Sequence, residues 1–407
     1  MKKLIINFLI IFLLINNIIF NIFELPSWAS YWDEMIEILV ITYGLLYSIK
    51  RKMEKRYFVL TVLLFLIVSI GILANILFEY SHSADAIFRD VFLFLKFPMV
   101  LVFLKSTGID KELAENFSIK IIKLFTIIIF IFGIISLFLD LGLSQMSIRN
   151  GIRPYQFLFN HPTFLVLYSV FSIALLESNF DKNGKKIYII MNLITIFLTM
   201  RTKGFALIAI YLFLKFTNKW SNKLKVLYWV GVIFIGFLAS YTKLLEYSSY
   251  STSAREVFYL GSIELAKMCF PIGSGFGTFA SHISYKYHSQ IYNFIHIPLY
   301  ASENAALVYG DTGFPYYIGQ FGFMGIILII IFGKKLLNML NKNVQYKLPV
   351  NILLIYILIG LTSETILLNS GIELAFMLAI VSKKIENIKK EEDESEKNWY
   401  NIRTESK

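Results

Sequence analysis

Arg201-Thr202-Lys203-Gly204 places two cations two residues apart in a tight connection between two apolar runs. At a hydrocarbon boundary an unpaired charge is costly and usually retained for function, and guanidinium beside ammonium suits a phosphate or carboxylate ligand. A second polar stretch, Gly142 to His161, carries Arg149, Arg153 and Tyr155 and ends in His161-Pro162, where proline suits the first turn of a helix. Arg255 is a third case. Ser253 and Glu256 form a Ser-x-x-Glu capping box. It opens an amphipathic helix with Val257, Phe258, Leu260, Ile263 and Ala266 on its apolar face and Pro271 as its stop. Arg255 then lies in a first turn whose free amides and dipole favour an anion. Anion recognition is the chemistry these places share. Pairing with an acid such as Glu246 or Glu256, or snorkelling to lipid headgroups, stays open for each residue.

Other chemistries find little footing. Gly273-Ser-Gly275-Phe-Gly277-Thr has neither the spacing nor the strand-loop-helix context of a dinucleotide fingerprint; its glycines suit tight turns or a close backbone approach. His282 and His288 stand six apart in a loop, and no His-x-x-x-His or Glu-x-x-His pair offers a zinc site. The single cysteine, Cys269, excludes an internal disulfide and a thiolate cluster.

The elements that position these residues follow from composition. Of 407 residues, 57% are hydrophobic and 16% charged, with a mean hydropathy of +0.63; soluble domains carry about 25% charged residues. The chain therefore reads as an all-α polytopic membrane protein. Runs of roughly 20 apolar residues give about twelve spans. The first nine are Leu4–Phe23, Met35–Ile49, Tyr57–Phe78, Val91–Leu104, Ile121–Leu139, Pro162–Leu176, Ile187–Met200, Phe205–Phe216 and Leu227–Tyr241. Phe314–Phe332, Leu348–Leu361 and Ile366–Val381 complete the set. The organisation is then spans 1–9 in residues 1–241, a large outer loop in 242–313, spans 10–12 in 314–382, and a disordered cytoplasmic tail in 383–407.

The net charge of +11 resolves into two faces. With both termini inside, most of the 39 basic residues, nearly all lysine, fall on cytoplasmic segments, as the positive-inside rule requires. The outer remainder is Arg89, Lys96, Arg149, Arg153, Arg201, Lys203, Lys243, Arg255, Lys267 and Lys286, which includes five of the chain's eight arginines. All five histidines, His82, His161, His282, His288 and His296, map there too. The chemistry is expected outside, and nucleic acid is not an expected partner.

In order and sidedness these features resemble the O-antigen ligase and Wzy-type polysaccharide polymerase superfamily. The resemblance rests on Ala254-Arg255-Glu256-Val-Phe-Tyr-Leu-Gly-Ser-Ile-Glu-Leu-Ala-Lys followed by Pro271-Ile-Gly-Ser-Gly-Phe-Gly-Thr-Phe. The basic turn at Arg201, the Arg149 to Pro162 loop, and Asp311-Thr312 leading to Gly322-Phe-Met-Gly325 add to it. It covers about Arg149 to Phe332. It implies a GT-C-like architecture in the bacterial cytoplasmic membrane, and transfer of glycan from a polyprenyl-pyrophosphate-linked oligosaccharide without metal, nucleotide sugar or other cofactor. Arg201 and Arg255 would contact the pyrophosphate, with Arg149, Arg153, His161 and Lys203 as further substrate contacts and Tyr155 stacking on a sugar face. Where ligases carry His-Asn or His-Ser before the Gly-x-x-Gly span, this chain has Asp311-Thr312, which leans toward a repeat-unit polymerase. Asp311, or Glu303 in second place, would be the general base; Asp311 as a helix cap is the simpler alternative. A flippase and a chain-length regulator of the same pathway are the implied partners. A ligase acting on another acceptor, and a lipid-linked oligosaccharide flippase, are the alternatives.

Overall fold

The computed structural model describes residues 2–23, 26, 31–51, 53–80, 83–108, 115–149, 151–178, 184–216, 221, 224, 226, 228, 230, 254–295, 312–341 and 347–382. The expected bases Asp311 and Glu303, with Ser253, His82, His296, most of the ninth span and the tail, lie outside the described residues. Among the described residues every named element is an α-helix, and β pairing is confined to the isolated bridges Ser144 with Tyr155 and Arg149 with Ile152. In order these are α1 (Lys2–Ile22), α2 (Trp32–Lys50), α3 (Lys55–Phe78), α4 (Ala84–Thr107), α5 (Glu115–Ile135), α6 (Pro162–Ser178), α7 (Lys185–Leu198) and α8 (Thr202–Phe216). Then come α9 (Ala254–Met268), α10 (His282–Lys286), α11 (Ile291–Phe294), α12 (Gly313–Asn341), α13 (Lys347–Leu361), α14 (Ile366–Asn369) and α15 (Gly371–Val381).

Local chemistry sets their limits. Ser83 caps α4 by accepting from the Ala86 amide, and left-handed Gly108 ends it. The apolar run Ile121–Leu139 is helical only to Ile135, after which turns lead to Gly142 (φ +70°) and its amide bonds the Asp140 side chain. The run Ile366–Val381 is two helices, because Ser370 leaves helical geometry and Gly371 passes close against Phe97 of α4. Among the described residues two helices, α3 and α12, are long and apolar enough to cross a membrane. Large apolar side chains such as Phe65, Ile76 and Ile49 stand exposed on the perimeter.

α15 is buried at every position and packs on α4, α6 and α13, while α4 also meets α2 and α3. On the other flank α9 packs on α12, and α12 on α3. The buried stripe of α9 is Phe258, Gly261, Ser262, Leu265 and Cys269; Leu260 and Ile263, expected inside, are exposed. Leu265 of this stripe packs on Gly319 of α12.

α12 is broken at Gly322 (φ 55°, ψ −159°). There the glycine-rich segment completes the interrupted ladder: the Ser274 and Gly275 amides donate to the Gly319 and Gln320 carbonyls (3.0 and 2.9 Å), and the Met324 amide to Pro271 O (2.9 Å). A Cβ at Gly273 or at Gly322 would lie on the other's backbone amide. Phe276 plugs against Gly71, Phe94 and Phe321, and its backbone is held from both sides by the Asn75 amide (2.8 and 2.9 Å). The glycines thus serve a backbone approach within the protein.

Successive helices reverse, so their ends sort to two ends of the bundle. At one, Lys105 donates to Ser382 O (2.8 Å), Lys215 pairs with Glu177, and Lys55, Arg56, Lys335 and Asn338 rim a cleft of about 420 Å³. At the other lie the 136–161 loop, the α7–α8 turn, the 269–295 segment and the α13–α15 connection.

Candidate functional site

The α7–α8 turn is shaped by Met200 in the left-handed region (φ 49°) and by Gly204, whose Cβ would meet Ile196 at 2.8 Å. Arg201 O accepts from the amides of Gly204 and Phe205 (2.9 and 3.2 Å), so Arg201 heads α8 and Lys203 lies in its first turn. The 136–161 loop folds back as a small hairpin over this turn: the Tyr155 amide bonds Leu198 O (2.9 Å), and Gln145 and Pro154 pair through their main chains (2.9 Å). The hairpin carries Gln145 onto Arg201, whose Nη2 donates to Gln145 Oε1 at 3.0 Å and lies 2.6 Å from His161 Nε2.

His161 precedes Pro162, and its Nδ1 faces the Thr163 amide at 3.3 Å. Guanidinium and amide can only donate, and a neutral imidazole accepts at one nitrogen alone, so a second ring proton would face a donor and find no acceptor there. Burial first, then the charges of Arg201, Lys203 and Arg149, pushes its pKa down to about 4. It is therefore a neutral acceptor at pH 7, enclosed by cations.

Lys203 turns the other way. Its Nζ donates to Glu364 Oε1 at 2.6 Å and sits 5.8 Å from the centre of the Tyr356 ring. Burial lowers its pKa, Glu364 opposes that, and the neighbouring Arg201 and Arg255 add to the lowering. Arg255, exposed at the start of α9, thus belongs to the same electrostatic cluster. One turn on, Tyr259 donates to Thr362 O at 3.3 Å, which docks α9 beside the Glu364 turn.

Beside this cluster is a cavity of about 330 Å³ whose polar lining includes His161, Thr163, His282, Tyr356, Glu364 and Asn369. Cavities of that size hold small ligands. The break between α14 and α15 turns Asn369 and Ser370 into its wall. His282 enters from α10, its pKa lowered by burial and then by Lys286.

Of the residues expected from the sequence, Arg149, Arg201, Lys203, His161 and Arg255 come together. Arg153 does not; it pairs at the surface with Asp140. Tyr155 is 1% exposed, with its hydroxyl on Ile129 O (2.8 Å) and its ring against Gly133 and Leu198, so it anchors the hairpin and offers no face to a sugar. Gln145, Tyr356 and Glu364 are additions. Glu364 had a readable signal, a single acid in a short polar break between two apolar runs. Asp311 is outside the described residues, but Gly313, two positions on, lies against Glu364: a Cβ there would be 2.6 Å from Glu364 O.

The arrangement gathers cations from three segments near the amino ends of α6 and α8, a combination suited to an anion, beside a cavity lined by both apolar and polar side chains. Compared with known proteins, the chain matches no family model, no curated protein and no solved structure.

Proposed function

We propose that the protein is a multi-spanning membrane glycosyltransferase that polymerises polyprenyl-pyrophosphate-linked oligosaccharide repeat units on the outer face of a bacterial cytoplasmic membrane. The observation that carries this reading is that His161 and Glu364, which both line the 330 Å³ cavity, hold Arg201 and Lys203, while Arg149 acts electrostatically on His161 and Arg255 on Lys203. A diphosphate needs several cations held in place before it arrives, and charge developing on a departing diphosphate is stabilised most by donors already oriented. Arg201, fixed by Gln145, and Lys203 supply that; the cavity's polar wall suits a sugar. The exposed apolar strip of α9 and the next turn, Leu260, Ile263, Met268 and Phe270, would lie along the membrane boundary and bring Arg255 to headgroup depth. In this scheme a hydroxyl of one repeat unit attacks the anomeric carbon of another, the glycosidic bond forms, and polyprenyl diphosphate departs.

Purified protein given lipid-linked repeat units is the test. A ladder of products that disappears in R201A and R255A variants supports a polymerase. A single transfer to a different acceptor identifies a ligase, and movement of lipid-linked saccharide across vesicles without a new glycosidic bond identifies a flippase; either outcome replaces the polymerase reading.

A further inference from the structure

Among the described residues lining the cavity, Glu364 is the one carboxylate, and it is tied to Lys203. Its main chain is fixed. The amides of Ser363 and Glu364 both bond Gly360 O (2.9 and 2.8 Å), Tyr259 holds Thr362 O, and Gly313 packs behind its carbonyl. The side chain is partly accessible, at 21%, while Lys203 is at 11%. The Lys203 ammonium at 2.6 Å occupies Oε1, so an incoming hydroxyl cannot bond that oxygen until Lys203 moves.

We propose that Glu364 accepts the proton of the attacking hydroxyl, and that its ion pair with Lys203 holds it idle until a diphosphate draws Lys203 away. This inference rests on the glycosyl-transfer reading above. A diphosphate carries more negative charge than one carboxylate and meets Arg201 and Lys203 together, so it competes for the ammonium. Once Lys203 turns to it, Glu364 Oε1 is free to accept from the hydroxyl of the acceptor sugar. Donor binding thus creates the base. In the step that follows, the acceptor oxygen bonds to the anomeric carbon and its proton passes to the Glu364 carboxylate. The bond from the anomeric carbon to the phosphate oxygen breaks, and its electron pair leaves on the diphosphate. Water in the cavity then takes the proton. The arrangement also keeps the site from activating a hydroxyl before a donor is present.

The test uses full-length protein in detergent or nanodiscs, with chain elongation read from lipid-linked repeat units and anion binding read separately with polyprenyl diphosphate. E364Q, which keeps the shape and frees Lys203, is expected to bind polyprenyl diphosphate at least as tightly as wild type while elongation falls about 100-fold, the lower range for loss of a general base. E364D, which keeps a carboxylate on the same turn, is expected to retain about a tenth of the rate or more. K203Q should weaken polyprenyl diphosphate binding. E364Q elongating at a near-wild-type rate overturns the proposal. So does a parallel loss of binding and elongation, or an E364D as inactive as E364Q, since each assigns Glu364 to packing. If wild type forms no glycosidic bond, the glycosyl-transfer reading fails and takes this inference with it; every other result bears on Glu364 alone.

Discussion

Arg201 and Lys203 stand at the start of α8, where the helix dipole opposes a cation by about 0.3–1 kcal/mol each. Gln145, neutral His161 and Glu364 offset part of that cost, and a bound anion would offset more. His161 gives the arrangement a pH signature. Its folded pKa, about 4, lies below the ordinary 6.5. Between those values the unfolded chain holds a proton that the folded chain refuses, so this contribution to stability is present above pH 6.5 and is lost as pH falls toward 4. Wild type is expected to lose more thermal stability than H161Q between about pH 7 and about pH 4.5; melting curves of the two at both pH values check this, and equal losses would exclude His161 as the cause. R201K keeps the charge but not the guanidinium whose Nη2 reaches both Gln145 and His161. Binding of polyprenyl diphosphate should weaken about tenfold or more, as expected when a charge-assisted bond is lost, and unchanged affinity would show that charge alone suffices. The sequence reveals these cations because arginine is scarce and sits in predicted outer turns. It does not reveal Gln145 or Tyr356, which have no distinctive spacing, or the pairing of Glu364 with a lysine 161 residues earlier. Tyr155 misleads for the opposite reason: an aromatic in a basic loop resembles a ligand platform, yet here it closes the core.

Among the elements, the broken helix and the glycine segment that fills its break carry the most structural information. Gly322-Phe-Met-Gly325 inside an apolar run is compatible with a continuous helix, so the sequence offers no cue that the ladder stops there. The run Gly273–Gly277 reads equally well as a turn or as a ligand approach. Only their meeting decides, because the carbonyls freed at Gly319 and Gln320 need donors in a buried place, and Ser274 and Gly275 provide them. G273A and G322A are each expected to destabilise by about 2–4 kcal/mol, since a Cβ meets backbone that cannot yield and both glycines have positive φ. G333A, on the same helix with nothing within 4 Å of its Cβ, should be neutral or stabilising by up to about 1 kcal/mol. Thermal melting of the three variants separates the accounts, and a G273A as stable as G333A would remove the close approach as an explanation.

At the scale of the molecule, the two ends of the bundle differ in kind. One gathers lysines at helix ends, Lys55, Lys105, Lys215 and Lys335 among them; the other holds Arg201, His161, His282 and the cavity. The many large apolar side chains that stand exposed, Phe58, Phe65, Ile76 and Phe323 among them, suit a surface that a bilayer covers. On the proposed membrane reading, the positive-inside rule would put the lysine end in the cytoplasm. The chain itself offers a clean test. Its single cysteine, Cys269, is buried, and burial pushes its thiol up to about 11 despite a hydrogen bond from Tyr80, so little of it is thiolate at neutral pH. Wild type should resist maleimide. Met146, 94% exposed in the hairpin loop, lies at the arginine end, and Lys335, exposed near the close of α12, lies at the lysine end. With intact cells stripped of their wall, M146C is expected to react with a membrane-impermeant maleimide at once, and K335C only after the membrane is permeabilised. The reverse order would place the cavity in the cytoplasm, where a polymerase of exported repeat units has no use for it, and equal labelling of both would deny that a membrane separates the two ends.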